Sequence, residues 1–352
     1  MSTLADFGWT KAKQTAWGAM NMAGSQPARI IADFGTSLKI ATPDIITAEL
    51  SGKLAHYTDH DHTPKVGDWV SVVISANGNA TIESVILRSN EIARKVTGKR
   101  TVKQIIAVNI DLAFVLLSLD NDFSIERLKR YLYQLSVSSI EPVIVMNKAD
   151  KTDNVQVYLT QLEQLDIPVI TAIATEGVGV RDIAARILPS KTAILLGSSG
   201  VGKSTLTNAL LGREVQATNS VRESDDTGKH TTVHKELFIL PNGGILIDTP
   251  GIRELQLWGT EEDLDTRYDD IAALAAQCKY ANCRHTSEAG CAVTAALADG
   301  SLEAVHYAGY VRMKDELTKL EARNIEKIRQ TKRYITRKNR SKSESYDRSD
   351  DV

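Results

Sequence analysis

The segment Gly197-Ser198-Ser199-Gly200-Val201-Gly202-Lys203-Ser204 leaves the apolar run Ala193–Leu196 and opens the amphipathic stretch Ser204–Leu211. Its glycines allow positive φ. Backbone N–H groups can therefore turn inward on an anion, with the positive dipole end of a helix behind them. The spacing GxxxxGK[ST] is the phosphate-loop pattern, and a strand-to-helix setting is the context that separates it from a bare glycine-rich turn. In that pattern Lys203 reaches the outer phosphates, Ser204 ligates Mg²⁺ and Thr205 follows in the first helical turn. Such a loop requires a strand feeding a helix, so the chain around it must be layered α/β.

The surrounding pattern agrees. Leu112–Leu119, Val143–Met146, Val169–Ala172, Ala193–Leu196, Leu237–Leu240 and Ile245–Ile247 read as strands. Ile125–Leu135, Val155–Leu165, Val180–Ile187 and Ser204–Leu211 read as helices between them. Alternation of this kind implies a mainly parallel sheet with right-handed crossovers. Upstream the rhythm differs. Arg29–Phe34, Ser37–Ala41, Ile45–Leu50, Asp68–Ile74 and Thr81–Leu87 are short β-rich runs, the last two joined by Asn77-Gly78, a tight-hairpin dipeptide. A small antiparallel barrel follows, OB-type by strand number, although propensity alone does not separate it from an SH3-like one. Beyond Trp258 the chain is alanine-rich and helical, with a charged helix expected over Ala304–Tyr334.

At 352 residues the chain exceeds what one core organises, so several domains are expected. Residues 1–100 form an N-terminal extension and barrel, 101–258 the α/β P-loop domain, and 259–352 a helical domain. Charged residues at 24% and a net charge of -2 give no global attraction to nucleic acid or membrane, so any basic surface is local. Lys327, Arg329, Lys332, Arg333, Arg337, Lys338, Arg340 and Lys342 supply one in the tail, which is either a solvated face or an RNA contact. Met1–Met20 carries Asp6, Lys11 and Lys13 and does not read as a secretory signal, and Ile105–Leu119 is too short and too interrupted to span a bilayer.

Asn147-Lys148-Ala149-Asp150 follows the strand Val143–Met146 and reads as a guanine selector. A carboxylate at Asp150 accepts from both N1–H and the 2-amino group of guanine. Adenine has no N1–H and would leave the charge unpaired. Asn147 either meets the base O6 or ties neighbouring loops together, and the Lys148 stem covers a ring face. Thr171-Ala172-Ile173 is placed for a further backbone contact to the base. Asp248-Thr249-Pro250-Gly251 ends the strand Ile245–Ile247, where Asp248 can hold Mg²⁺ through water and Gly251 can approach the terminal phosphate.

The polar segment Asn219–Thr232 suits a switch loop, with Thr231 or Thr232 closing on Mg²⁺. Ile252 stands where many GTPases carry a water-orienting Gln, so intrinsic hydrolysis should be slow. Either His230 or a group from a partner then positions the water.

These motifs occur in an unusual order: Asn147 precedes Gly197, which precedes Asp248, whereas in the common GTPase arrangement the phosphate loop comes first and the Asn-Lys-x-Asp element later, so the chain is permuted. Fold termini usually lie close together, so joining them and opening the chain elsewhere preserves the sheet. The phosphate-sensing end near Asp248 then leads directly into the C-terminal domain.

The 3 cysteines all fall within that domain. Cys278, Cys283, His285 and Cys291 supply soft ligands over a short, loop-rich stretch, and an odd cysteine count argues against a disulfide framework. Four protein ligands describe a closed, structural zinc site. Buried free thiols beside a surface histidine are the competing reading.

The permuted order, the barrel and the Cys-Cys-His-Cys segment together resemble the RsgA (YjeQ) family of ribosome small-subunit-dependent GTPases. The matching motifs are Asn147–Asp150, Gly197–Thr205, Gly228-Lys229-His230-Thr231-Thr232, Asp248–Gly251 and the four zinc ligands. The resemblance implies a GTP hydrolase using Mg²⁺ and one Zn²⁺, while the clustered cysteines and the lack of a secretory signal lead to the expectation of a cytoplasmic protein, taken as a monomer. The resemblance also implies an assembly factor that binds the immature small ribosomal subunit and its rRNA in the GTP state and leaves after ribosome-stimulated hydrolysis. A GTP-gated RNA-binding scaffold with incidental turnover is the alternative. Val233 departs from the threonine run often found in the family, which leaves open whether Thr231 or Thr232 closes on the metal.

Overall fold

In the computed structural model, short strands of β-branched sequence close on themselves before the nucleotide motifs begin. The structure describes residues 3–20, 22, 24–35, 37–55, 63–76, 78–86, 88–96, 102–120, 122–215, 235–248, 264–265, 268–280, 282–286, 288–304, 306–315, 317–319 and 322. They fall into two compact units, Met1–Arg94 with Lys103–Gln256, and Lys95–Val102 with Leu257–Val352.

The first unit starts with a 3-10 turn (Leu4–Phe7) followed by helix α1 (Lys11–Ala19), whose N-cap Thr10 hydroxyl accepts from Lys13 N at 3.3 Å. No residue of α1 is buried, so no apolar period betrayed it in the sequence. The barrel strands are β1 (Gln26–Asp33), β2 (Leu38–Ala41), β3 (Ile45–Leu50), β4 (Trp69–Ile74) and β5 (Ala80–Val85), with the single-turn α2 (Gly52–Ala55) after β3. They pair in the order β1-β2-β3-β5-β4 and close through β1–β4, all antiparallel except the parallel β3–β5 pair. This closed five-strand path is the OB arrangement. Ile30, Ile40, Val70, Val72 and Ile82 fill it, all fully buried. At the β4–β5 turn Gly78 has φ +86° and donates to Ser75 O at 2.8 Å, while Asn77 lies outside the described residues.

A hairpin of β6 (Glu91–Val96) and β7 (Val102–Val108) follows, absent from the sequence expectation. The central sheet contains β8 (Leu112–Ser118), β9 (Glu141–Asn147), β10 (Val169–Thr171), β11 (Thr192–Leu196), β12 (Lys235–Ile239) and β13 (Ile245–Asp248), in the order β10-β9-β8-β11-β13-β12. All these pairs are parallel except β12–β13. Every residue of β8 is buried, which is why its sequence is a continuous apolar run rather than an alternation. The helices α3 (Ile125–Val137), α4 (Val155–Glu163), α5 (Val180–Arg186) and α6 (Lys203–Leu211) occur where the periodicity placed them. In α3, Leu128, Tyr131, Leu132 and Leu135 form the buried stripe, and Ser124 caps its start by accepting from Arg127 N at 3.2 Å.

The barrel and the central sheet are one hydrogen-bonded surface. After a bulge between Ile30 and Ala32, β1 pairs with β12 through Ala32↔Glu236 and Asp33↔Lys235. Arg29 braces the same junction from inside, 1% exposed. Its guanidinium donates to Thr192 Oγ1 at 2.9 Å, to Gly67 O at 3.3 Å and to Phe7 O, and lies 5.4 Å from the Trp69 ring centre. Burial lowers the Arg29 pKa to about 10 against the opposing charges of Asp111 and Asp68, so it remains a cation at neutral pH.

In the second unit α7 (Asp269–Ala275) and α8 (Ala292–Asp299) flank the cysteine segment, and residues 306–315 and 317–319 are helical. Tyr268, Ile271, Val293, Leu302, Tyr310 and Met313 are buried there. The rest of the expected charged helix and the basic tail lie outside the described residues. Among the described residues no helix is long and apolar enough to cross a membrane.

Candidate nucleotide site and metal centre

The loop Gly197–Gly202 joins the C-terminal end of β11 to α6, and its backbone explains its glycines. Gly197 has φ +146°, and a Cβ there would stand 2.8 Å from Leu116 O. Gly202, the N-cap of α6, has φ +101°, and a Cβ there would stand 2.2 Å from Asn147 Nδ2. That close approach records the central fact of the site: Asn147 is 2% exposed, donates to Val201 O at 2.9 Å and accepts from Ala174 N at 3.1 Å. Of the two roles open to Asn147, it performs the loop tie. One amide thus holds the phosphate loop, the end of β9 and the segment after β10 together, although 54 residues separate Asn147 from Val201.

Asp150 sits in a single 3-10 turn, Ala149–Lys151, introduced by Lys148 in left-handed conformation at φ +59°. Its carboxylate pairs with Lys151 Nζ at 3.0 Å. Ala149 N donates to Ala172 O at 3.2 Å, which puts Thr171-Ala172-Ile173 beside the Asn-Lys-x-Asp turn. Lys203 Nζ donates to Gly197 O at 2.8 Å and Ser198 O at 2.6 Å, coiled back on its own loop. Burial lowers its pKa to about 8, while the Asp248 carboxylate opposes that shift. Ser204 and Thr205 occupy the first turn of α6 beside it, and Asp248 ends β13, 7% exposed. Ser199 and Gly200 are exposed at the loop tip, whereas Val201 is buried. His230, Thr231, Thr232, Thr249, Pro250 and Gly251 lie outside the described residues.

Ser204 Oγ, with the Asp248 carboxylate, is a hard-oxygen donor set of the kind Mg²⁺ accepts while keeping several waters. Sequence reasoning missed two residues here. Asp120 pairs with Lys148 Nζ at 2.9 Å, and the Asp122 carboxylate accepts from the Ser198 hydroxyl. Both follow the C-terminal end of β8, where ligands of parallel sheets gather, and that rule was the available signal.

In the second unit, the ligand atoms of Cys278, Cys283, His285 and Cys291 lie within 4.8 Å of one another. Cys278 Sγ is 3.8 Å from Cys291 Sγ, and His285 Nδ1 is 3.5 Å from each of those sulfurs. A tetrahedral Zn²⁺ with Zn–S of about 2.3 Å and Zn–N of about 2.0 to 2.1 Å gives edges of roughly 3.8 and 3.5 Å, so the donors fit a zinc ion. The loop is preformed: Glu288 accepts from Arg284 N at 2.9 Å and Thr286 N at 3.0 Å, and His285 adopts φ +59°. Cys291 is the N-cap of α8. Burial resists its ionisation, but the Thr294 hydroxyl and N–H, His285 and Cys283 bring its pKa down to about 6, toward the thiolate a metal needs.

A phosphate loop at the end of a parallel strand, tied by a side chain to an Asn-Lys-x-Asp turn that precedes it in the chain, defines a circularly permuted P-loop GTPase. The comparisons make the family specific. A family model described as RsgA GTPase matches residues 85–258, and one described as 50S ribosome-binding GTPase matches residues 192–334. The small ribosomal subunit biogenesis GTPase RsgA of Opitutus terrae is 36% identical over 328 residues, covering 89% of each chain. RsgA 1 of Oceanobacillus iheyensis is 41% identical over 286 residues, covering 80% of this chain and 82% of its own. The crystal structure of YjeQ from Thermotoga maritima shares the fold with a TM-score of 0.58 at 24% identity, covering 84% of this chain and 99% of that one. The crystal structure of YloQ, described as a circularly permuted GTPase, matches with a TM-score of 0.57 at 23% identity, covering 85% of this chain and 97% of its own. The chain belongs to the RsgA GTPase family and is a GTP hydrolase.

Proposed function

We propose that this GTPase is a late assembly factor of the small ribosomal subunit, which it binds with GTP bound and leaves after subunit-stimulated hydrolysis. The observation that carries the proposal is the Asn147 tie between the guanine-selecting turn and the phosphate loop, in a chain whose full-length relatives are named small-subunit biogenesis GTPases. One family description mentions the 50S subunit instead. It covers only residues 192–334, so the relatives aligned over most of the chain weigh more.

In this reading Asp150 accepts from guanine N1–H and the 2-amino group, and Lys148 covers the ring. The N–H groups of Gly197–Gly202 and the Lys203 ammonium hold the phosphates, releasing Lys203 from Gly197 O and Ser198 O. Mg²⁺ neutralises charge on the outer phosphates when bound, with Ser204 and Asp248 as its protein partners. Thr231 or Thr232 closes over the terminal phosphate, Gly251 approaches it, and His230 or a subunit group orients the water. The zinc ligands organise a segment too small for its own core. The barrel (1–100), GTPase domain (101–258) and zinc domain (259–352) act as three parts of a monomeric, cytoplasmic factor. The barrel and basic tail supply the rRNA contacts.

Sedimentation of the purified chain with ribosomal subunits tests this, using a GTP analogue or GDP at two salt concentrations. Co-sedimentation with small subunits in the analogue alone, weakening with salt, is the expected outcome. Hydrolysis is measured in parallel, and little stimulation by small subunits would favour the scaffold alternative.

A further inference from the structure

The loop from β8 to α3 touches both halves of the nucleotide site, yet no sequence motif marks it. Asp120 leaves the end of β8, where Leu119 N donates to Asn147 O at 3.0 Å. Its Oδ2 lies 2.9 Å from Lys148 Nζ, and its Oδ1 accepts from Asp122 N at 3.0 Å. Burial would raise the Asp120 pKa, but the Lys148 hydrogen bond, Asp122 N–H, Ser118 hydroxyl and Lys148 charge hold it down at about 2. At neutral pH it is therefore an anion facing Lys148. Lys148 has left-handed backbone, a conformation unfavourable for a residue with a Cβ, so a side-chain anchor there does structural work.

Two residues along the same loop, Asp122 accepts from the Ser198 hydroxyl, and Arg127 Nη2 braces it at 2.8 Å. Ser198 is 9% exposed, and its carbonyl holds Lys203 Nζ at 2.6 Å. A continuous chain of contacts thus runs from Lys148 through Asp120 and Asp122 to Ser198 and Lys203.

We propose that Asp120 and Asp122 are positioning residues for the guanine nucleotide: Asp120 sets the Lys148 stem across the base, and Asp122 sets the phosphate loop through Ser198. The proposal rests on the guanine-nucleotide reading above. Asp120 contacts Lys148 and Asp122 contacts Ser198, so their effects pass through those two residues, and that route is measurable.

The experiment measures binding of a fluorescent GDP to the full chain, with ADP competition as the control on base choice. Asp120→Asn should weaken GDP about two- to fivefold, the range of a partly exposed ion pair. Asp122→Asn should weaken it about tenfold, because a charge-assisted hydrogen bond to the loop is lost. Asp120→Glu should restore part of the loss. Lys148→Met keeps the stem without the charge and should reproduce Asp120→Asn, and adding Asp120→Asn to it should change nothing further. Ser198→Ala should absorb Asp122→Asn in the same way. Additive effects in both pairs, or unchanged GDP affinity in Asp120→Asn and Asp122→Asn, would overturn the proposal while leaving the guanine reading intact. A wild-type chain that binds ADP as well as GDP would remove the guanine reading and this proposal with it.

Discussion

The Asn147 amide is the point where the permuted chain is stitched, and the Asn147–Gly202 contact allows its worth to be measured. Asn147→Ala removes the donor to Val201 O and the acceptor from Ala174 N, leaving two buried backbone groups unpaired. Each orphaned group costs about 1 to 3 kcal/mol, so about 2 to 6 kcal/mol is expected before water entering the cleft offsets part of it. Gly202→Ala attacks the same contact from the other side. Its Cβ would stand 2.2 Å from Asn147 Nδ2 and so expels the amide. Left-handed backbone adds about 1 to 2 kcal/mol for a residue with a Cβ. In the Asn147→Ala background the clash vanishes and only that backbone strain remains, so the double variant should be less destabilised than the sum of the singles. The assay is urea unfolding followed by tryptophan fluorescence, which reports mainly this unit because three of the four tryptophans, Trp9, Trp17 and Trp69, belong to it. Gly202→Ala costing the same in both backgrounds, or Asn147→Ala costing under about 0.5 kcal/mol, would refute the reasoning.

Nucleotide affinity should fall as pH rises through about 8, the pKa of Lys203 in the free protein. Bound phosphates favour its charged form, so affinity is full below that value and falls about tenfold per pH unit above it, measured as GDP affinity from pH 7 to 10. Arg29→Ala leaves Phe7 O, Gly67 O and the Thr192 hydroxyl facing a void at the barrel junction. It should lower stability by about 3 kcal/mol or more in urea unfolding, because three buried acceptors are left unpaired at about 1 to 3 kcal/mol each. Cys291→Ser should abolish stoichiometric zinc measured by atomic emission and melt the second unit's helical signal. A strong chelator should do the same to the wild type, because metal binding and folding of such a segment are linked.

Local chemistry made the nucleotide motifs legible. Gly197–Ser204 carries its own turn, helix start and charge, and Cys278–Cys291 places its ligands within one short stretch. The strands β8, β9 and β11 declared themselves because burial on both faces demands unbroken apolar sequence. Helix α1 and the β6–β7 hairpin were invisible. The first buries nothing, and the second adjoins a longer apolar stretch that obscured its boundaries. Asp120 and Asp122 carried only the weak signal of their place after a parallel strand, and Arg29 carried none, because a lone charged residue acquires meaning from its neighbours, and theirs are distant in sequence: Arg29 and Thr192 are 163 residues apart.

The amino-acid sequence by itself determined the phosphate-loop pattern, the Asn-Lys-x-Asp turn, the Cys-Cys-His-Cys cluster and the permuted order, since each is read from short local segments or from the order in which they occur. Only the tertiary structure decided that Asn147 spans to Val201, that β1 of the barrel pairs with β12, and that the β8–α3 loop holds Lys148 and Ser198 together. Those contacts join groups tens of residues apart, and their geometry follows from strand order and packing, which no local pattern encodes.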